Sequence, residues 1–536
     1  KRLEKPFMVV LLGIFSASCG AVEAGAPLQF PAPSRERAPL EVGTKQAKAL
    51  DSKDRVPARD NGPIEVGIHE AIFLALDNNR SLRVERLSPA IRKTFEDEEQ
   101  AVFDPLLKGE LDFSRDRGVE RARASGGFVE NTGNLGSAGL GLSQYFTTGT
   151  SVGVDLSEER TWSDLYSDQY ATRAGMTVTQ ALLRGAGTGV NLASLYQARL
   201  DTEISEYEFR GFAEALIAQV EQTYWDYALA HSQIRIFEES LSLAEQQLRE
   251  IEEMIAVGRL AETEVTAVQA EIASQRQGLI AARSTMETTR LRLIRLLNPQ
   301  GKNRWERDVL LKDRPSVPDV KLDSVQAHVD VALRFRPDLN QARLGVERGD
   351  LEIIKTRNGL LPKLDLFVTL GKSGYADSFG SSVGDVKEDS YDFTVGLKVQ
   401  YPLRNRGAEA RHSRAVLRRD QVSQAIDNLA QLVELDVRSS YIEVNRAREQ
   451  ISATTATRRL QEEKLRIETE KLRVGRSTVF LVSQAQRDLL SSQIVEVRAA
   501  VSYLKSLVDL YRLEGSLLER RGIRIPGGEP SGLSGR

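Results

Sequence analysis

Two segments of this 536-residue chain carry the same interruption at the same place in a helical pattern. Residues 471–486 read KLRVGRSTVFLVSQAQ and residues 254–269 read MIAVGRLAETEVTAVQ, each a charged amphipathic run broken only at a glycine. Val257-Gly258-Arg259 aligns with Val474-Gly475-Arg476, and Gln269 with Gln486, at an offset of 475 − 258 = 217. Glycine admits the left-handed backbone that ends one helix and redirects the chain into the next. Each copy is therefore read as the tip of a long helical hairpin, and the chain as a structure built twice around such a tip.

The rest of the pattern agrees. No proline occurs between Pro105 and Pro299 or between Pro402 and Pro526, so nothing in those spans forbids continuous helix. From about 190 to 257 and from about 408 to 474 the periodicity is helical, and nearly 70 residues at ~1.5 Å each give rods roughly 100 Å long. Phe237, Leu241, Ala244, Leu248, Ile251 and Ile255 step by four and three, a coiled-coil seam. In the second rod Ala453, Leu460, Ile467 and Val474 recur every seven residues and are expected to do the same work. Upstream, a short helix at 68–79 and a longer one ending at Asp104-Pro105 return as 325–333 and 341–361 before Pro362; Leu82 matches Leu339 and Pro105 matches Pro362 at an offset of 257.

After each proline the period becomes two. Residues 364–370 and 391–400 alternate as strands, and 109–114, 139–146, 151–156 and 173–180 do so in the first copy. The offset falls from 257 before these strands to 217 after them, so the first copy holds 257 − 217 = 40 extra residues, either one more strand hairpin or an elaborated loop. Strands this short cannot stand alone, and an open sheet edge is not tolerated in lipid, so a membrane role requires closure with other chains.

Composition excludes other classes. The formal charge of −3 leaves no basic footprint for nucleic acid, and one cysteine allows no disulfide framework. His69, His231, His328 and His412 are too scattered for a metal site, and no phosphate loop or nucleophile–base motif is present. No enzyme activity, cofactor or metal is expected. Lys1, Arg2 and Lys5 precede an apolar run at 7–15 and then small residues, the order of an export signal spanning 1–24. Cleavage after Ala24 or Ala26 competes with lipid attachment at Cys19. Residues 25–62 read as a flexible leader, 63–300 as the first repeat with its hairpin at about 187–298, 320–518 as the second with its hairpin at about 406–518, and 519–536 as a flexible tail.

In this order, twice over, Ala71 to Asn79, Arg336-Pro-Asp-Leu339, Leu361-Pro-Lys-Leu364, Gln180-Ala-Leu-Leu183 with its twin Gln400-Tyr-Pro-Leu403, and both Val-Gly-Arg tips resemble the TolC-like outer-membrane efflux proteins. The resemblance implies a mainly α fold with a membrane β-barrel portion, in which three chains close a barrel in outer-membrane lipid and continue it as a helical tunnel across the periplasm. It implies the exit duct of a tripartite efflux or type I secretion system, served by a periplasmic adaptor and by an inner-membrane pump of the resistance-nodulation-division, ABC or another class. Val257, Gly258, Arg259, Leu260 and Ala261, with Val474, Gly475, Arg476, Ser477 and Thr478, would meet the adaptor. Some relatives close the tunnel entrance with carboxylate–arginine links and aspartates past the second glycine. Here Leu481 and Gln484 stand at the comparable positions, leaving Thr263, Glu264 and Arg476 as the candidate gate. The competing readings are a periplasmic adaptor, which carries one such hairpin per chain, and a coiled-coil spacer, which leaves the strands without a purpose.

Overall fold

The computed structural model describes residues 62–121, 126–163, 167–301, 303–317 and 321–525. The export signal, Cys19, the leader through residue 61 and the chain beyond 525 lie outside these. The first copy opens with β1 (Ile64–Val66) and three helices, α1 (Ile68–Asn78), α2 (Arg80–Glu85) and α3 (Leu87–Ala101). Four strands follow: β2 (Leu106–Arg121), β3 (Phe128–Tyr145), β4 (Thr150–Ser163) and β5 (Gln169–Ala181). A single turn, α4 (Thr188–Asn191), leads into the rod α5 (Ala193–Ala256), and α6 (Glu264–Leu297) returns alongside it. After β6 (Val309–Leu311) the second copy repeats the order with α7 (Val325–Phe335), α8 (Pro337–Asn358), β7 (Lys363–Ala376), a short α9 (Phe379–Asp385) and β8 (Tyr391–Gln400). The rod α10 (Arg406–Arg473), the return helix α11 (Val479–Leu513) and the single turn α12 (Leu517–Arg520) complete it.

Local chemistry sets these boundaries. Asn79 closes α1 and caps α2 by accepting the Leu82 amide at 3.1 Å; at the equivalent place Pro337 opens α8, where its missing N–H costs nothing. Both return helices end in a left-handed residue, Asn298 (φ 41°) and Gly515 (φ 70°), again 515 − 298 = 217 apart. The rods, 64 and 68 residues long, extend about 96 and 102 Å.

The main core lies where the upper rods meet the short helices. Ile217, Val220 and Tyr224 of α5 gather with Val433, Val437 and Val444 of α10 and with Leu507 and Leu510 of α11. Parallel pairing of β1 with β6 closes this region, Ile64 opposite Val309, and the Tyr224 hydroxyl donates to the Val66 carbonyl at 3.2 Å. Residues 519–525, expected to begin a flexible tail, instead pack here. Arg521 grips the buried Glu221 through two bonds of 2.7 and 2.6 Å, and Ile523 is buried. The sequence offered no apolar period over so short a stretch; ion pairs to the buried Glu221 and Arg210 hold it.

Close by, Arg210 and Glu214 are both buried one turn apart on α5, and Arg210 reaches Glu519 at 2.7 Å. Burial pushes the Glu214 carboxyl up to about 8, against the pull of Arg210. His328 hydrogen-bonds Glu514, both buried. Burial alone would raise the Glu514 carboxyl, but the bonds from His328 and Ser516 and the charge of Arg520 outweigh it and hold it below the usual carboxylate range.

The first-rod seam packs inward, with Ala244 and Ile251 buried and Leu241, Leu248 and Ile255 beside them. The second-rod heptad does not. Leu460 and Ile467 are 70% and 41% exposed, Val474 is exposed too, and the intrachain seam runs instead through Val437, Val444, Thr454, Leu465 and Leu472. A rod this long carries more than one apolar stripe, and periodicity alone does not say which stripe its own chain covers.

Candidate functional site: the barrel wall and the hairpin tips

The strands form one antiparallel sheet in the order β2-β3-β4-β5-β7-β8, so the 40 extra residues of the first copy are strands rather than loop. Its register sorts the side chains. Leu111, Leu140, Leu156 and Ala174 share one face, as do Leu142, Val154, Met176, Leu370 and Phe393, and most of these large side chains are exposed. The opposite face carries Asp112, Ser137, Glu159, Asp155, Arg173, Thr177 and Asp392. An exposed apolar face that long is stable against lipid and not against water, whereas the other face is made for water. The aromatics divide accordingly: Phe113, Tyr170, Tyr391 and Phe393 join the apolar face. Tyr145 and Phe367 lie on the polar one, where Tyr145 stacks on Phe103 at 6.0 Å and bonds Asn191 at 3.0 Å. Among the described residues no helix is long and apolar enough to cross a membrane.

On the polar face Arg173 lies across four strands. It donates to Asp155 at 3.0 Å and to Asp392 at 2.9 Å, bridging strands of both copies. The space it occupies is left by Gly175 and Gly371: a Cβ at either would stand 2.5 or 2.7 Å from the guanidinium. Sequence reading missed this cluster, because Arg173 and Asp392 are 219 residues apart and only the strand register brings them together.

At the far ends of the rods the two tips are built alike. Gly258 and Gly475 have φ of 73° and 72°. In each, the amide after the glycine bonds back to the carbonyl five residues earlier, Arg259 to Met254 and Arg476 to Lys471, both at 2.8 Å, while the glycine amide bonds the carbonyl three residues earlier. This pair of bonds is the Schellman closure, which satisfies the last helical carbonyls and needs a left-handed residue. Val257 (71% exposed) and Val474 (69%) project from the turns with Arg259, Ala261 and Arg476. Leu260 turns inward to a cluster of Ile251, Val268, Ile272, Leu472, Val479 and Val482, which unites both hairpins. Ser477 donates to Glu468 at 2.6 Å, and the Thr478 side chain caps α11 at Leu481. Deeper in, Arg487 bonds the buried Glu271 at 2.7 Å and ties the return helices together.

Thr263 begins α6 without a side-chain cap bond, and Glu264 is half-buried beside it. Glu264 and Arg476 form no ion pair with each other among the described residues of one chain. Phe480, exposed just past the second tip beside Leu481, was not singled out from sequence; its signal was two adjacent bulky apolar residues where a two-helix seam needs one.

A sheet with one lipid face and one wet face, continued into long paired rods with exposed tips, defines a duct protein of the cell envelope. The outer membrane efflux protein family model matches residues 71–299 and 329–516, and the chain belongs to that family. It sits in the outer membrane and extends into the periplasm, as the exit duct of a tripartite efflux system. Among solved structures it is similar to CusC, described in connection with transmembrane channel formation, at 18% identity and a TM-score of 0.63, covering 86% of this chain and 95% of that one. It is also similar to the CmeC outer-membrane channel of Campylobacter jejuni (18%, TM-score 0.62, 87% and 86%) and to the outer-membrane protein VceC of Vibrio cholerae (16%, TM-score 0.62, 84% and 96%). No curated protein matches the sequence.

Proposed function

We propose that three copies of this chain assemble into one continuous duct, and that both hairpin tips dock a periplasmic adaptor fed by an inner-membrane pump. The observation that supports assembly is the sheet: β2 and β8 are unpaired edges, one running from the helices toward the loops and the other back. Placed head to tail, β2 of one copy meets β8 of the next antiparallel, and the edges that lipid does not tolerate disappear. Three is the number the family resemblance implies. The exposed Leu460–Ile467 part of the second-rod stripe is then covered by a neighbouring copy, while Val474 stays free at the tip.

At the tips the exposed valines and arginines, two sets per chain, offer small apolar knobs flanked by positive charge to the adaptor. Contact between Glu264 of one chain and Arg476 of the next is the proposed closure of the entrance, worth at most ~1 kcal/mol per exposed pair. The test is to purify the full chain from membranes, measure its mass, and insert it into planar lipid. A heat-sensitive trimer giving discrete conductance steps is expected; a monomer without pore activity overturns the assembly.

A further inference from the structure

Three features of the barrel wall bear on what passes through it. The sheet has six strands, so three copies give eighteen. At a strand spacing of ~4.8 Å and a tilt of ~40°, eighteen strands close at a backbone diameter of about 36 Å, against about 24 Å for twelve. Removing a half-sheet thickness of ~5 Å from each side leaves about 26 and 14 Å clear.

The wet face is also kept flat. Ser137, Gly139, Gly153, Thr177, Gly371 and Thr394 lie on it, and two of its bulky groups, Arg173 and Phe367, rest on glycines. Arg173 lies over Gly175 and Gly371, pinned by Asp155 and Asp392. Phe367 lies over Gly396 on the neighbouring strand, where a Cβ would stand 2.4 Å from its ring. Each arrangement lays along the wall a long side chain that would otherwise project into the bore.

The connection between β7 and β8 is tied to the outside. A Cβ on Gly374, which points to the lipid side, would meet the Ser382 carbonyl at 2.1 Å, and the Ser382 and Thr172 hydroxyls bond at 2.7 Å. Phe379 and Val383 of α9 extend the apolar surface beside Leu140 and Leu156. In many large barrels such a loop folds inward and plugs the lumen; here it is fastened the other way.

The geometry points to a wide, unobstructed exit, and so to large hydrophilic solutes, about 20 Å across, as the cargo this duct is built to pass. The inference rests on the three-chain duct proposed above and adds its bore and its cargo class. The test uses the full-length protein in outer-membrane vesicles with Thr177→Cys, deep on the wet face, the unsubstituted protein serving as blank. Maleimides carrying polyethylene glycol of about 4 and 10 Å radius are added from outside, sizes that a clear bore of about 26 Å admits and one of about 14 Å separates. Labelling by the larger reagent within about tenfold of the smaller is expected. A loss of a hundredfold or more with the larger reagent alone overturns the wide bore and leaves the duct standing. Failure of both reagents means that Thr177 does not face water, which sinks the duct as well. Val178→Cys, one residue on and facing lipid, is expected to stay unlabelled; equal labelling there removes the assignment of faces on which the inference stands. In Thr177→Cys carrying Asp155→Asn and Asp392→Asn, the freed Arg173 is expected to slow the larger reagent several-fold more than the smaller; equal slowing of both overturns the role given to the pinned guanidinium.

Discussion

A lysine placed at Leu140 and one placed at Ser137 should have opposite fates, though the two residues sit three apart on the same strand. Leu140 stands between Gly109 and Leu156 on the apolar face, more than half exposed in the single chain and therefore, in the membrane, against lipid. A lysine near the midplane of a barrel's lipid face costs about 2–4 kcal/mol. At 1.4 kcal/mol per tenfold, that is a loss of about 30- to 700-fold in the folded-to-unfolded ratio. Ser137 faces the bore between Asp112 and Glu159, so a lysine there gains two carboxylate neighbours and remains hydrated. Its expected effect is within about 0.5 kcal/mol, as for other surface changes. The assay is urea-titrated folding into lipid vesicles, scored by the gel mobility of the unheated protein. Leu140→Lys should need markedly less urea to unfold, while Ser137→Lys should overlay the parent curve. Equal destabilisation by both, or a larger loss at Ser137, refutes the lipid-out, water-in assignment and with it the eighteen-stranded closure.

Other expectations concern the helical part. Glu214 has its pKa raised to about 8 in the fold from an ordinary 4.5, so its contribution to stability is full below pH 4.5 and falls as pH rises toward 8, where the unfolded chain has long since ionised. Between pH 7 and 9 this one group should cost on the order of 1 kcal/mol, or roughly 1 °C of melting temperature in a chain this size. Glu214→Gln should remove that slope, and an unchanged slope shows that the carboxyl is not held neutral. Reversing both tip charges, Arg259→Glu with Arg476→Glu, should weaken capture by a cognate adaptor at least tenfold in a protein that still runs as a trimer; undiminished capture places docking elsewhere. Glu264→Ala with Arg476→Ala should raise the ion conductance of the reconstituted trimer, and identical traces would dismiss those residues as a gate.

The repeat was legible because it rests on local chemistry. A left-handed position favours glycine, so the tips at 258 and 475 declared themselves, and proline-free spans with helical period declared the rods. What stayed hidden depended on partners remote in sequence. The forty surplus residues became a strand pair only because each strand finds a neighbour in register. The Arg173 cluster exists only after β5 and β8 are brought near one another across β7. The second-rod heptad misled because an apolar stripe looks the same whether its own chain or another covers it.

The duplication, the turns and the alternation of the strands were legible in the sequence, since each follows from the conformational freedom and polarity of a few adjacent residues; the class of protein was implied by the family resemblance those features carry. Only the tertiary structure decided the strand number, the sorting of aromatics between faces, the stripe left open on the second rod and the clamping of residues 519–525. Those are matters of which distant groups end up opposite one another, and chain connectivity leaves that choice to the packing.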